Sequence, residues 1–423
     1  MAGGRLVKKA LALFKKQPTP GADPVPSPLT DAIMISEPEY SVDPEVLKRE
    51  FLTATLTPNP ILLGRKMSML KFKVEMKGNG KQHSGDVADA CIVARMLEAC
   101  AFKLTGYEAA TPFSKIIADY ENSTTMPDTV AAHSGATTLT EPVVYTVAVT
   151  TAGASATAKV TVTSNSPHDV PAGGQITLTS GTPFALGAKG GSLALTWAGD
   201  AVMGSKWRVL VAPQGVVALP VSDNFELGTL YYYQDGVLHK ILDAMGTVSL
   251  SGEAGKFASY EFTFTGKYAD PEDEAFPDLD DIKFETPLPP LVENSNLTWG
   301  SNTSLIVNDY SFDLSGEITP RPSVNHKDGF YGMRFTARTP KGGFNPEAEL
   351  EASQPFWSDM AAAKRRQFFT KIGTVPGNII GMFQPSAQTD TLGYGDRDGI
   401  STYEVGLALS GDKGDDEVIF IFA

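Results

Sequence analysis

Leu70-Lys-Phe-Lys-Val-Glu-Met-Lys77 alternates apolar and charged side chains without a break. A period of two puts Leu70, Phe72, Val74 and Met76 on one face of a strand and Lys71, Lys73, Glu75 and Lys77 on the other. The segment therefore predicts a sheet with one face on a core and one in water. The alternation returns in Ser259-Tyr-Glu-Phe-Thr-Phe-Thr265, whose buried face would be Tyr260, Phe262 and Phe264. Just before it, Leu230-Tyr-Tyr-Tyr233 and Val237-Leu-His-Lys-Ile241 flank Gln234-Asp235-Gly236, a hairpin signal. Thr247-Val-Ser-Leu-Ser251 turns through Glu253-Ala-Gly255 into residues 259–265 as a second hairpin. With 40 Gly and 29 Pro among 423 residues, the chain favours many turns between short strands over long helices.

Working outward, residues 86–102 carry Val87, Ala90, Cys91, Ala94, Leu97 and Ala101 at helical spacing, with Ser84 as N-cap. Beyond 290, strands are expected at 304–307, 310–314, 331–338, 378–383 and 402–409. A helix runs from Pro355 through Phe356, Trp357, Met360, Lys364 and Phe368. Strand hairpins plus one helix thus occur on both sides of residues 270–290, a proline-rich stretch holding Asp270, Glu272, Asp273, Glu274, Asp278, Asp280 and Asp281. Residues 141–214 differ in composition, with few charges among Thr, Ser, Ala, Val and Gly. Strands at 145–150, 158–163, 193–197 and 207–211 predict a small β-sandwich inserted in a surface loop.

The resulting division is a basic arm and proline tether at 1–30, a discontinuous first domain at 31–140 and 215–269, the sandwich at 141–214, an acidic linker at 270–290, and a second domain at 291–423. Length alone suggests two to four domains. The arm contains Lys8, Lys9, Lys15 and Lys16 around the apolar run Ala10-Leu-Ala-Leu-Phe14. That run is too short for a secretory signal, and no stretch approaches the ~20 apolar residues of a membrane span, so a soluble chain not exported by this route is expected. Docking on a neighbouring subunit and fraying are both open to the arm.

A formal charge of −14 argues against a nucleic-acid reader, which needs a basic footprint. It is compatible with a conduit past which DNA slides, and equally with simple solubility. Cys91 and Cys100, read on opposite faces of one helix, cannot bond to each other, which suits a reducing compartment. The histidines at 83, 133, 168, 239 and 326 have no zinc spacing. Asp396-Arg-Asp398-Gly399 mimics the opening of a calcium loop but lacks the closing acid, so a tight turn explains it better. The carboxylates of 270–281 likewise fit a solvated linker better than a calcium site. Trp207, Trp299 and Trp357 invite a sugar-platform reading but lie in apolar patterns. Glu347 and Glu349 invite a glycosidase reading, but proximity in sequence says nothing of their separation across a substrate. No nucleophile elbow, P-loop or dinucleotide fingerprint occurs, so no catalytic, cofactor or metal residue is assigned and no enzyme is expected.

One further pattern is larger than any motif. Pro220-Val-Ser-Asp-Asn-Phe-Glu226, Leu230 to Gly236, Gly246-Thr-Val-Ser-Leu-Ser-Gly-Glu-Ala-Gly255 and Tyr260-Glu-Phe-Thr-Phe-Thr-Gly-Lys-Tyr268 occur in order. Pro289-Pro290, Asn296-Leu-Thr298, Tyr310-Ser-Phe-Asp-Leu314, Arg338-Thr-Pro-Lys-Gly342, Phe344-Asn-Pro-Glu-Ala348 and Tyr394 to Gly399 follow. Together they resemble the major tail tube proteins of siphophages over most of 215–410, and 141–214 is similar to the immunoglobulin-like decorations that many of these carry. The arm at 1–30 departs from the pattern. The resemblance implies a β-barrel-like tube fold with flanking helices, in rings that stack into a conduit for DNA, with the tape measure, distal tail and terminator proteins as partners and no cofactor. It places the protein in a virion tail assembled in the bacterial cytoplasm. Two tandem tube domains would let three chains form a ring otherwise made by six. The alternatives are another tail ring component, such as a terminator or baseplate ring, and a virion adhesin or carbohydrate-binding protein that uses the sandwich.

Overall fold

A computed structural model describes residues 6–52, 54, 56–120, 126 and 129–423. The chain is mainly β, 50% strand and 5% helix, in several antiparallel sheets of which none is closed. Among the described residues, the single chain therefore does not show the barrel-like closure expected from the resemblance.

Strands of four or more residues are numbered in chain order. The first part of the host holds β1 (Ala10–Lys16), β2 (Ser36–Leu47), β3 (Leu62–Glu75), α1 (Ile92–Glu98) and β4 (Phe102–Tyr107). The sandwich holds β5 (Ser114–Ala118), β6 (Val130–Ser134), β7 (Val143–Thr151), β8 (Lys159–Ser164), β9 (Ser192–Thr196) and β10 (Lys206–Val211). The host resumes with β11 (Gly215–Pro220), β12 (Gly228–Gln234), β13 (Val237–Glu253) and β14 (Ser259–Tyr268). Its second half holds β15 (Val307–Asp313), β16 (Gly316–Pro322), β17 (Phe330–Arg338), β18 (Lys341–Pro346), α2 (Phe356–Ala361), β19 (Arg365–Ile372), β20 (Ile380–Arg397), β21 (Ile400–Ser410) and β22 (Ile419–Phe422).

The two halves repeat one topology. In the first, β2 pairs with β3, β3 with β14, β14 with β13, and β13 with β12. In the second, β15 pairs with β18, β18 with β21, β21 with β20, and β20 with β19. Each half also places its helix directly after the second strand of this series, α1 after β3 and α2 after β18. Residues 249–253 of β13 then pair antiparallel with 309–313 of β15, which joins the halves into one continuous run of eight strands, β2-β3-β14-β13-β15-β18-β21-β20, within a larger sheet that β12, β19, β22 and β11 also join. The two predicted strands 237–241 and 247–251 are one long strand, β13, bent at a bulge between Leu242 and Met245. Its first part pairs with β12 and its last part with β15, so the bend lets one strand serve two neighbours.

The tandem-domain expectation is corrected in one respect: the halves share a core. Phe72, Tyr260, Phe262 and Phe264 of the first half belong to the same buried cluster as Phe312, Phe344 and Phe420 of the second. Phe420, near the end of the sequence, lies 5.7 Å from Phe102, 6.1 Å from Tyr260 and 5.5 Å from Phe312, ring to ring. The strand that carries it, β22, pairs with β11 on one side and β20 on the other. A contact so remote in sequence leaves no local pattern.

Other expectations are corrected as well. Residues 1–5 of the arm lie outside the described residues, but 10–16 form β1, fully registered against β12. Leu11, Ala12, Leu13 and Phe14 are all buried, with Ala12 and Phe14 on the main core and Leu11 and Leu13 on a smaller one. A consecutive apolar run is what a strand covered on both faces requires. The flanking lysines cap its ends as ion pairs, Lys9 to Asp235 at 3.0 Å and Lys16 to Glu98 at 2.8 Å. Residues 270–290 are not a free linker but a docked strap. Phe276 packs edge-on against Tyr233, and Glu285 accepts the Ile92 N–H at 2.7 Å. The helix predicted over 86–102 is only α1, because Phe102 already belongs to β4; Asp86 rather than Ser84 caps the preceding 3-10 turn. The second helix ends at Ala361, since Phe368 is core in β19. The sandwich begins near 114 rather than 141, with β5 and β6 as members of its two sheets. Its insertion point is definite: β4 and β11 pair directly, Tyr107 opposite Gly215, and residues 108–214 lie between them.

Candidate assembly surfaces

Opposite residues in an antiparallel pair share a face, so registers identify the wet side of the eight-stranded sheet. One row runs Lys73, Glu261, Ser249, Asp313, Lys341 and Ala408 across six strands and both halves. The row beside it runs Glu75, Ser259, Ser251, Ser311, Gly343 and Gly406. The opposite face of these strands is the aromatic core. These rows interleave Ser249, Ser251, Ser259 and Ser311 with charges of both signs, Lys73 and Lys341 among Glu75, Glu261 and Asp313, so the net −14 is not concentrated there. Lys71 pairs with Glu261 at 2.9 Å and Lys73 with Glu37 at 2.6 Å. These hydrogen bonds hold both ammonium groups above their ordinary pKa.

This eight-stranded run ends in two open edges. Among the described residues, β2 has no strand beyond β3, and residues 391–397 of β20 have none beyond β21. Unpaired edges are templates for another chain. Edge strand β2 carries Pro38 and Pro44, and its register slips between Ser36 and Glu39 and between Pro44 and Val46. The regular stretch between those slips, residues 39–44, is one residue longer than the β13–β15 junction, residues 249–253.

Strand direction alternates across the sheet, so β2 and β15 run the same way and their following connections leave at one end. At that end the β2–β3 hairpin exposes Phe51, Leu52 and Leu56, with Val46, Leu47, Leu62 and Leu63 at its base. At the opposite end, Phe257 bridges to Leu291, both exposed, and Tyr394, Ile400 and Leu350 are exposed beside the β20–β21 turn. A shallow cavity of about 550 Å³ lies among Leu350, Tyr394 and Tyr403. Apolar groups gathered at both ends of a sheet mark contact surfaces.

The residues singled out for chemistry fall elsewhere. Trp207 and Trp299 are core, and Trp357 is half-buried 5.5 Å from Tyr394. Asp398 and Gly399 form a two-residue hairpin turn, both at positive φ, with Asp396 accepting the Gly399 N–H at 3.1 Å. Glu347 faces Arg397, while the Glu349 carbonyl accepts the Tyr403 hydroxyl. The strap carboxylates disperse, Glu272 to Lys240 and Glu274 to Tyr233. Among the described residues no group of three or more His, Cys, Asp or Glu is arranged to hold a metal ion. Cys91 and Cys100 are free and buried, and burial pushes both thiols up. His83 is buried, which lowers its pKa, and His239 packs 4.3 Å from Tyr40. Sequence reading missed three buried ion pairs, Asp243 with Lys267, Glu141 with Lys371 and Asp119 with Arg208, since nothing local links the partners.

No protein-family model matches the sequence, and no curated protein is similar enough to it to count as a match. No helix among the described residues is long and apolar enough to cross a membrane.

Proposed function

We propose that this chain is the repeating subunit of the tail tube of a long, non-contractile-tailed bacteriophage, a structural protein that catalyses nothing. The observation that carries the reading is the eight-stranded sheet with one wet face, one aromatic face and two open edges. In the repeated topology β20 is the counterpart of β13, and β2 that of β15. Pairing β20 of one copy with β2 of the next therefore repeats, between chains, the junction that already joins the halves within a chain. Such head-to-tail contacts close into rings. Three chains of eight strands give 24; at ~4.8 Å spacing and a tilt of about 40° the backbone diameter is about 48 Å, wide enough for duplex DNA. Ser and Thr with paired charges on the lumen side would let DNA pass without gripping its phosphates. The apolar groups at both ends of the strands suit stacking of rings, and terminator, distal tail and tape measure proteins would meet the same surfaces in the virion tail.

Electron microscopy of the purified protein tests this. Hollow tubes with three chains per layer are expected. Six chains per layer would overturn the ring of three, discrete rings that never extend would favour a terminator or baseplate role, and monomers at high concentration would overturn the assembly reading.

A further inference from the structure

The sandwich is inserted between β4 and β11 of the first half, yet what it packs against is largely the second. Ile117, Val144, Leu210 and Ala212 from its sheet form a buried cluster with Phe369, Phe383, Ile419 and Ile421 of β19, β20 and β22. Beside this cluster Glu141 Oε2 lies 2.6 Å from Lys371 Nζ, with side chains 4% and 2% exposed. Ser166 and Asn296 also donate to the Glu141 carboxylate. At the rim Lys115 pairs with Asp412 and Asp416, and Arg365 stacks 4.3 Å from the Tyr120 ring.

We propose that the inserted sandwich is a brace, rooted in the first half and gripping the second, which fixes their relative placement in addition to anything its outer surface binds. A domain that moved on a hinge would keep charged and polar groups wet at the joint. Here an apolar cluster and a doubly buried ion pair occupy it, and both lose their stabilising effect when the surfaces part. The brace acts on β19 and β22, and β22 also pairs with β11 of the first half, so loosening the sandwich loosens a strand that links the two halves. These contacts lie within one chain and are independent of the tube reading.

Hydrogen exchange on the full-length chain, under conditions that keep it unassembled, decides the matter. Val144→Ala with Leu210→Ala trims only the sandwich side of the cluster. The expected result is at least tenfold faster exchange at 365–372 and 419–422, in strands that carry no substitution. Lys371→Met is expected to speed exchange at 143–151 as well as 365–372, and adding Glu141→Gln to restore most of that protection by removing the stranded charge. Wild-type protection of β19 and β22 in the trimmed variant, or effects of Lys371→Met confined to β19, would overturn the brace.

Discussion

Asp243 Oδ2 lies 2.7 Å from Lys267 Nζ in a buried ion pair at the bulge where β13 changes partner. Asp243 also sits at φ 49° and accepts the Gly21 N–H at 2.6 Å from the proline-rich tether. One side chain thus fixes the bend, the neighbouring strand and the segment that carries β1. The left-handed backbone there suits Asp or Asn far better than a branched residue.

Removing that carboxylate strands a buried ammonium. Asp243→Ala is expected to destabilise the chain by about 3 kcal/mol or more. Asp243→Asn keeps the backbone preference and an acceptor for Gly21, and should cost less. Urea unfolding of both variants checks the order; equal losses would show that charge, rather than geometry, is what the site supplies.

Buried Glu141 and half-buried Glu285 give opposite responses to pH. Burial raises the pKa of Glu141, but hydrogen bonds from Lys371 and Ser166 outweigh it and the net shift is downward. Its stabilisation is therefore present above the unfolded value of 4.5 and lost as pH falls through the folded value. Burial raises Glu285 despite the Ile92 N–H, so its contribution is present below 4.5 and lost as pH rises through its folded value. Glu141→Gln should lower Tm at pH 7, with the gap to wild type closing as pH drops below 4.5. Glu285→Gln should raise Tm at pH 7 by a few degrees at most, and lose that advantage at pH 4. Melting curves across this range test both signs.

Edge pairing makes a geometric prediction. Consecutive strand residues aim their N–H groups to opposite sides, so of Ser41→Pro and Val42→Pro one removes a donor facing β3 and the other a donor facing outward. The outward one is expected to leave a folded chain that forms no rings, as judged by circular dichroism and sedimentation. Tube formation by both variants would rule out β2 as a joining edge.

The hairpin tip separates stacking from folding. Leu52 and Leu56 are fully exposed in the single chain, so replacing both with Asp should change its stability by no more than about 0.5 kcal/mol. Tubes should be lost while short rings persist in electron micrographs. Unaltered tubes would place the stacking contact elsewhere.

Much of the sheet is legible in the sequence. Leu70 to Met76 and Tyr260 to Phe264 announce their buried faces because pleating alternates side chains regardless of what packs on them. Asp235-Gly236 and Asp398-Gly399 announce hairpins because few residues tolerate positive φ. The run Ala10 to Phe14 hides its strand for the converse reason: a strand covered on both faces has no alternation, and its flanking lysines read as an amphipathic arm. The spacing of Phe368 from Phe356 and Met360 fits helix as well as strand, and only core packing assigns it to β19.

What the sequence determined by itself is therefore a set of faces and turns: mainly β, wet on one side of its leading strands, with a compositionally distinct insert. Tertiary structure alone decided that two repeated halves share one sheet and one core, that the arm is an internal strand, and that the insert grips the far half. The physical reason is range. Alternation and turn chemistry are local properties of the chain, whereas the β13–β15 junction, the Phe420 cluster and the Glu141–Lys371 pair depend on surfaces that exist only after distant segments have packed together.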